Sequence, residues 1–455
     1  MIKRLLGCVR EYKLPSILTL IFIIFEVIIE VFIPFITADL VNSIKAGAEM
    51  RELLLTGALL VCMALASLCC GGIAGFTCAK ASAGFAKNLR GDLFRKIQTY
   101  SFENVDNFST ASLVTRLTTD VGNVQMSYMM IIRTAIRSPL MFIFSIIMAY
   151  VMGGALATTF VVVVPVLITG LLLVARKAMP AFRRVFKKYD RLNESIEENV
   201  AAMRVVKGFV REGYEKEKFS SAADNIRRDF TKAERIVAFN DPLMQFCLYF
   251  NMVFVMYVGA KLIVGNQGTT IFVGQLSAML TYGMQILMSL MMLSFIFVML
   301  TISAESIKRI CEVLDEEAVL KNPQNPIMQV ADGSIDFNNV TFKYSASARL
   351  AALSGIDLHI PSGATVGIIG GTGSSKTSLV QLIPRLYDVT SGSICVAGKN
   401  VKDYDIEVLR QSVAMVLQKN LLFSGTIREN LLWGNEQASD EEIRQACRLA
   451  CAEEF

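Results

Sequence analysis

Residues 366–378 read VGIIGGTGSSKTS, and this stretch decides how the second half of the chain folds. Val366 to Ile369 is a short apolar run of the kind that forms a buried strand. Gly370, Gly371, Thr372 and Gly373 make a glycine-rich turn, and Ser374 and Ser375 carry the chain to Lys376 and Thr377. An amphipathic segment, 378–387, follows and reads as a helix. A strand, a glycine-rich turn and Lys-Thr at a helix start make a phosphate cradle, because the turn and the helix end direct backbone N–H groups at anionic oxygens. Lys376 is placed to reach terminal phosphates and the Thr377 hydroxyl to bind Mg²⁺. The expected ligand is a nucleoside triphosphate.

Outward from this loop the composition changes character. Hydrophobic residues make up 53% of the 455 residues, with 22 Met and 28 Phe against a single Trp. The mean hydropathy of +0.48 is too high for an ordinary soluble protein. The ten cysteines are scattered through apolar runs without Cys-x-x-Cys spacing, and His359 is the only histidine, so the pattern points to free thiols rather than a zinc site. A net charge of +5 gives no reason to expect a nucleic-acid partner.

Six apolar stretches, near 14–37, 53–78, 134–152, 156–175, 243–264 and 270–300, each approach the ~20 residues that cross a bilayer. The first is too long for a secretory signal, carries Glu26 and Glu30, and lacks a small-residue cleavage site. The connections 38–52, 153–155 and 265–269 are short and nearly uncharged. Those at 79–133, 176–242 and from 301 onward are long and rich in Lys and Arg. The positive-inside rule then places both termini and the long connections in the cytoplasm of a plasma-membrane protein. The long connections also continue helical periodicity. Residues 79–100 carry Phe85, Leu89, Leu93, Phe94 and Ile97 toward one side, and 183–210 and 218–235 read as solvated charged helices. The turns at 104–112 and 210–215 are candidate contact surfaces.

Charges inside the spans are costly, about 2.5–3.5 kcal/mol each at the bilayer centre on insertion scales. Glu26 and Glu30 lie one turn apart in the first span, as do Arg133 and Arg137 near the inner end of the third. By axial rise a Glu26–Arg137 pair is within reach, whereas Glu30 reads as too far outward to join it. Two readings stand, a cavity wall that contacts cationic substrate and polar helix packing with snorkelling arginines. Met279, Met284, Met288, Met291, Met292, Phe295 and Phe297 likewise read either as an adaptable apolar cavity lining or as lipid-facing and packing residues.

Past a charged helical segment, residues 321–326 (KNPQNP) form a turn-rich linker. From Gly333 the pattern predicts strands at 335–337, 340–344, 356–360, 365–369 and 394–396, an α/β arrangement around the glycine turn.

Together these residues resemble a half-transporter of the ATP-binding cassette (ABC) exporter family, similar to its multidrug and lipid exporters, over essentially the whole chain. The phosphate loop Gly370–Ser378 is one element of the resemblance. Residues 416–430 (VLQKNLLFSGTIREN) resemble the family's glutamine-loop region, with Gln418 as the glutamine. Tyr344, in the FKY stretch, is placed like the aromatic residue that stacks on adenine, although by itself it fits a surface strand position equally well.

The resemblance implies an all-α six-helix transmembrane domain with long cytoplasmic helical extensions, followed by a partial α/β P-loop nucleotide-binding domain. The boundaries it implies are an N-terminal cytoplasmic elbow helix at 1–13, the membrane domain at 14–310, a linker at 311–332 and the nucleotide domain at 333–455. It further implies ATP and Mg²⁺ as cofactors. The implied nucleotide-contacting residues are Tyr344, Gly370, Gly371, Thr372, Gly373, Ser374, Ser375, Lys376, Thr377, Ser378 and Gln418, with Thr377 and Gln418 as the metal ligands. The expected partners are a second half-transporter, preferably a different one, membrane lipid and an amphipathic small-molecule substrate exported by alternating access. Two departures qualify it. Ser375 stands where the GxxxxGK(S/T) pattern has glycine, and residues 1–455 contain no LSGGQ-like signature, no apolar strand ending in Asp-Glu and no switch histidine beyond the loop. The expectation is therefore nucleotide contact without hydrolysis by these residues. Three readings follow from it, an exporter half, a non-catalytic partner subunit, or an inert truncated product.

Overall fold

A computed structural model describes residues 2–265, 272–345, 348–416 and 421–452. Two of the readings above fall outside them, Gln418 and the 265–269 connection from residue 266 on. The chain divides into two units, Met1–Thr99 with Phe108–Glu316, and Tyr100–Asn107 with Glu317–Phe455.

The first unit is helical because a chain in hydrocarbon has to satisfy every N–H and C=O within its own segment. Its elements are α1 (Ile2–Gly7), α2 (Lys13–Ala46) and α3 (Met50–Gln98), then the short α4 (Phe102–Phe108), of which residues through Asn107 group with the second unit. They continue through α5 (Thr110–Thr115), α6 (Val121–Ile132), α7 (Thr134–Gly153), α8 (Thr158–Ala201), α9 (Met203–Gly208), α10 (Glu212–Val237), α11 (Asn240–Gly265) and α12 (Val273–Asp315). Among the described residues six helical stretches are long and apolar enough to cross a membrane: Arg10–Ala46, Met50–Gln98, Thr110–Gly153, Thr158–Phe182, Glu212–Gly265 and Val273–Asp315. These are the six predicted places, and most helices continue well past the apolar stretch.

The helices share a core that includes Ile23, Val27, Phe160, Leu167, Met279, Tyr282 and Ile286. Several polar side chains within it are paired. The Tyr282 hydroxyl donates to the Val31 carbonyl at 2.8 Å, Ser145 donates to Gln285 at 3.0 Å, and the Thr19 and Thr77 hydroxyls meet at 2.8 Å. In the extension of α3, Phe85, Leu89 and Leu93 are buried at four-residue spacing, while Phe94 is exposed, contrary to its expected side. One residue is 100° of helix, enough to turn it off the stripe. Between α5 and α6 a π-helical turn, Arg116–Asp120, aims two charges at α12. Fully buried Asp120 accepts hydrogen bonds from Arg309 Nε and Ser306 Oγ, both at 2.8 Å, and Arg116 reaches Glu312 at 3.0 Å.

The intramembrane charges correct one expectation. Arg137 does pair with Glu26, at 3.5 Å, but its closer partner is Glu30, whose two carboxylate oxygens accept from Arg137 Nη2 at 2.8 and 2.7 Å. Axial rise compares backbone depths and leaves out the long arginine stem, which carries the guanidinium along the helix to the second carboxylate.

The second unit holds a four-stranded antiparallel sheet in the order β2-β1-β3-β4, formed by β1 (Ile335–Phe342), β2 (Leu353–Ile360), β3 (Ser391–Val396) and β4 (Lys399–Asn400). The two strands predicted at 335–337 and 340–344 are a single strand, interrupted by a bulge at Asn339 (φ 47°) and ending at Phe342. β3 and β4 form a hairpin through Ala397 and Gly398, both at positive φ, the geometry that matches strand twist in a two-residue turn. Residues 365–369 are not a strand. A strand needs a neighbour to take up its N–H and C=O groups, and no described strand runs beside this segment, whose Ile369 is 98% exposed. The helix after the loop, α13 (Lys376–Gln381), starts two residues earlier than expected and ends before Pro384, which cannot donate a helical hydrogen bond. The remaining helices are α14 (Ile406–Ser412), α15 (Ile427–Leu431) and α16 (Asp440–Leu449). Thr426 with Glu429 and Ser439 with Glu442 form capping boxes at the starts of the last two.

Gly274 fixes how closely α2 and α12 approach. Its N–H donates to Asn42 at 2.9 Å, and a Cβ there would overlap the Ala38 carbonyl oxygen. Small residues at such crossings let membrane helices pack backbone to backbone. Gly274→Ala should therefore lower stability by about 1–3 kcal/mol, the usual cost of overpacking. A clear fall in the thermal unfolding midpoint of the purified protein is expected, and an unchanged midpoint would refute the close crossing.

Candidate nucleotide site

The glycine-rich loop lies on the surface of the second unit and hands over directly to α13. Gly373 has φ 81°, a conformation that favours glycine, and a Cβ on Gly370 would meet the Ser374 hydroxyl at 2.6 Å, so a side chain there would displace that hydroxyl. Lys376 folds back over the loop. Its Nζ donates to the carbonyls of Gly370 and Gly371, each at 2.8 Å, and to Ser374 Oγ at 3.2 Å. A cation is thereby held at the loop mouth, where phosphate oxygens would meet it. The Thr377 side chain is exposed and hydrogen-bonds to no protein group among the described residues, which leaves its hydroxyl available to a metal ion. The residues present thus fit a Mg²⁺–nucleotide.

Ser375 caps the start of α13 with φ 58° and ψ 26°, the left-handed conformation that a β-carbon disfavours by about 1–2 kcal/mol. Its side chain makes no capping hydrogen bond to offset that cost. The departure noticed in the sequence thus falls on a position where glycine has a physical advantage.

Tyr344 stands at the end of β1, against α13. Its hydroxyl meets Ser378 Oγ at 2.7 Å and donates to Gln381 at 3.3 Å, while the residue remains 46% exposed. One ring edge packs on Tyr387, with centroids 5.3 Å apart and planes at 86°. Sequence placement therefore brings Tyr344 to the helix that carries Lys376, Thr377 and Ser378. Gln418 lies outside the described residues.

A further contact, without a local sequence signal, lies on the far side of Tyr387. The phenol donates to Asp106 Oδ2 at 2.7 Å and its ring lies 6.0 Å from Phe102, both in the 100–107 segment. Burial, reinforced by the Asp106 carboxylate, pushes the Tyr387 phenol well above its ordinary range, so it stays a donor. Fully buried Asn104 fastens the same segment, donating to the Glu317 carbonyl at 3.0 Å and accepting from the Val319 N–H at 3.2 Å. Of the candidate contact surface 104–112, residues 104–107 pack within this unit. The 210–215 turn is largely exposed. A donor and acceptor 281 residues apart leave no local pattern to read.

Comparison with known proteins agrees with this architecture. Residues 16–291 match the family model of the ABC transporter transmembrane region, and 353–454 match that of the ABC transporter. The ABC transporter ATP-binding protein YfiB of Bacillus subtilis (strain 168) is 32% identical over 98% of this chain and 77% of its own length. An ATP-dependent lipid A-core flippase of Desulfotalea psychrophila is 25% identical over 100% of this chain and 78% of its own. A fatty acid ABC transporter ATP-binding/permease protein of Mycobacterium bovis is 29% identical over 81% of this chain and 57% of its own.

Two outcomes are expected at this site. Ser375→Gly removes the left-handed penalty and should raise affinity for a fluorescent ATP analogue by up to about five- to thirtyfold; equal or weaker binding would show that the side chain is no burden. Tyr387→Phe leaves Asp106 without its donor and should cost the second unit about 1–2 kcal/mol, read as an earlier local transition in hydrogen exchange. Unchanged exchange in β1 and residues 100–107 would contradict it.

Proposed function

The chain belongs to the ABC transporter family, and from that premise we propose that it binds Mg²⁺–ATP on Gly370–Ser378 and exports amphipathic small molecules as one half of a dimeric transporter. Transmembrane and ATP-binding regions lie in one chain, the half-transporter arrangement. The observation that carries the reading is the Lys376 ammonium held at the loop mouth by the Gly370 and Gly371 carbonyls, at the start of α13. The Lys376 side chain would exchange those carbonyls for β- and γ-phosphate oxygens, Thr377 would ligate the metal with Gln418, and the exposed Tyr344 ring would support the adenine. When bound, ATP supplies the free energy that shifts the protein between closed and open states, by binding one better than the other.

The distribution of Lys and Arg supports cytoplasmic termini and a multi-pass position in the cell membrane. Two relatives named for lipidic cargo, the lipid A-core flippase and the fatty acid transporter, support an amphipathic substrate. The left-handed Ser375 favours a second half-transporter of different sequence, because a pair of unequal sites tolerates one weakened loop.

Lys376→Ala should reduce ATP-analogue binding by about tenfold or more, the worth of a charge-assisted phosphate contact. Inside-out vesicles containing the chain with its partner half should accumulate an amphipathic dye only with ATP. Binding unaffected by Lys376→Ala would sink the nucleotide assignment, and dye uptake indifferent to ATP would sink the exporter assignment.

A further inference from the structure

α6, α7 and α12 border a half-open cavity of about 490 Å³ in the first unit. On one side stand Arg133 and Arg137, and on the other Met284, Met288 and Met292 follow each other at four-residue spacing along α12. Thr134, Ser138 and Gln285 supply neutral hydrogen-bonding groups between them. Flexible, polarisable methionines accommodate chains of varied shape, so the wall they form suits an alkyl tail.

The two arginines differ in what they already hold. Arg137 is taken up by Glu30, at 2.7 and 2.8 Å, and by Glu26 at 3.5 Å. The Arg133 side chain has no ion pair or hydrogen bond among the described residues, and its guanidinium lies over α3 at Gly75. Neither glutamate lines the cavity, and the side chain of Glu26 is nine-tenths buried between helices against Gly71. Every charged group on the cavity wall is therefore cationic. A wall that contacts cationic substrate would need an acid on it, and neither Glu26 nor Glu30 lines this cavity.

We propose that this cavity takes an amphipath with an anionic headgroup, a carboxylate or a phosphate, held by the planar donor fork of Arg133 with its tail along the α12 methionines. The inference rests on the exporter reading and adds to it the charge of the cargo. An unpaired guanidinium fits such a headgroup because it offers parallel N–H donors to two oxygens at once.

The test uses the full chain in nanodiscs of phosphatidylcholine and a photoactivatable fatty acid whose cross-links are mapped to peptides of α6, α7 and α12. Competitors are oleate, lysophosphatidic acid, oleyl alcohol and oleylamine. Oleate or lysophosphatidic acid should displace the probe, the stronger of the two identifying a carboxylate or a phosphate cargo, while the alcohol and the amine should not. Arg133→Gln should cut the anionic competition about tenfold or more, and Arg133→Lys should keep most of it. Retained ATP-analogue binding shows that each variant is folded. If oleyl alcohol competes as well as oleate, or Arg133→Gln changes nothing, the charge assignment is overturned while ATP-driven dye uptake still upholds the exporter reading. Absence of any cavity labelling also overturns it, and dye uptake then decides separately whether the exporter reading survives.

Discussion

A guanidinium inside a membrane helix has to be neutralised or solvated, and in this protein one arginine meets that demand for two carboxylates at once. Arg137 on α7 holds Glu30 and Glu26 on α2, so the ion cluster ties the first span to the third. Pairing, or a place on a cavity wall, is what lets charges stay within membrane helices. It also sorts the charges: the acids end behind the wall and Arg133, one turn before Arg137, is left facing the cavity with α12 opposite. The packing of α12 depends in turn on the close approach at Gly274 and on the Tyr282 hydroxyl bonded to Val31.

The same economy of polar groups governs the helical extensions. Asp120, fully buried, is satisfied by Arg309 and Ser306, and Arg116 spans to Glu312 and the Arg309 carbonyl. Removing one member of such a set leaves the others buried and unpaired, which costs more than the net worth of the bond itself. In the second unit the shared node is aromatic. Tyr387 touches Phe342 on the sheet and Tyr344 just beyond it, and Phe102 and Asp106 on the 100–107 segment. Through Tyr344 and Ser378 this node borders the helix that begins with Lys376, so the glycine-rich loop and the short segment rest on the same side chains.

What could be read in advance follows from the range of the interactions involved. The six spans were legible because each is a run of apolar residues that must be helical in lipid, whatever its neighbours do. The loop from Gly370 to Thr377 was legible because its chemistry is contiguous, with each glycine adjacent to the groups it makes room for. Phe94 misled because a single residue moves a side chain by more than a quarter of a turn. The 365–369 run is as apolar as a buried strand, yet a strand exists only with a partner, and its pairing is not written in its own residues.

Sequence alone thus determined the helical class of the first unit, the position of the glycine-rich loop and the unusual serine within it, since all of these arise from local composition and steric rules. Tertiary structure alone decided that Glu30 joins Arg137, that Arg133 stays unpaired beside the α12 methionines, and that Tyr387 meets Asp106 across 281 residues. Those contacts depend on where side chains arrive after the helices have packed, and pairing between distant residues leaves no periodic trace in the chain.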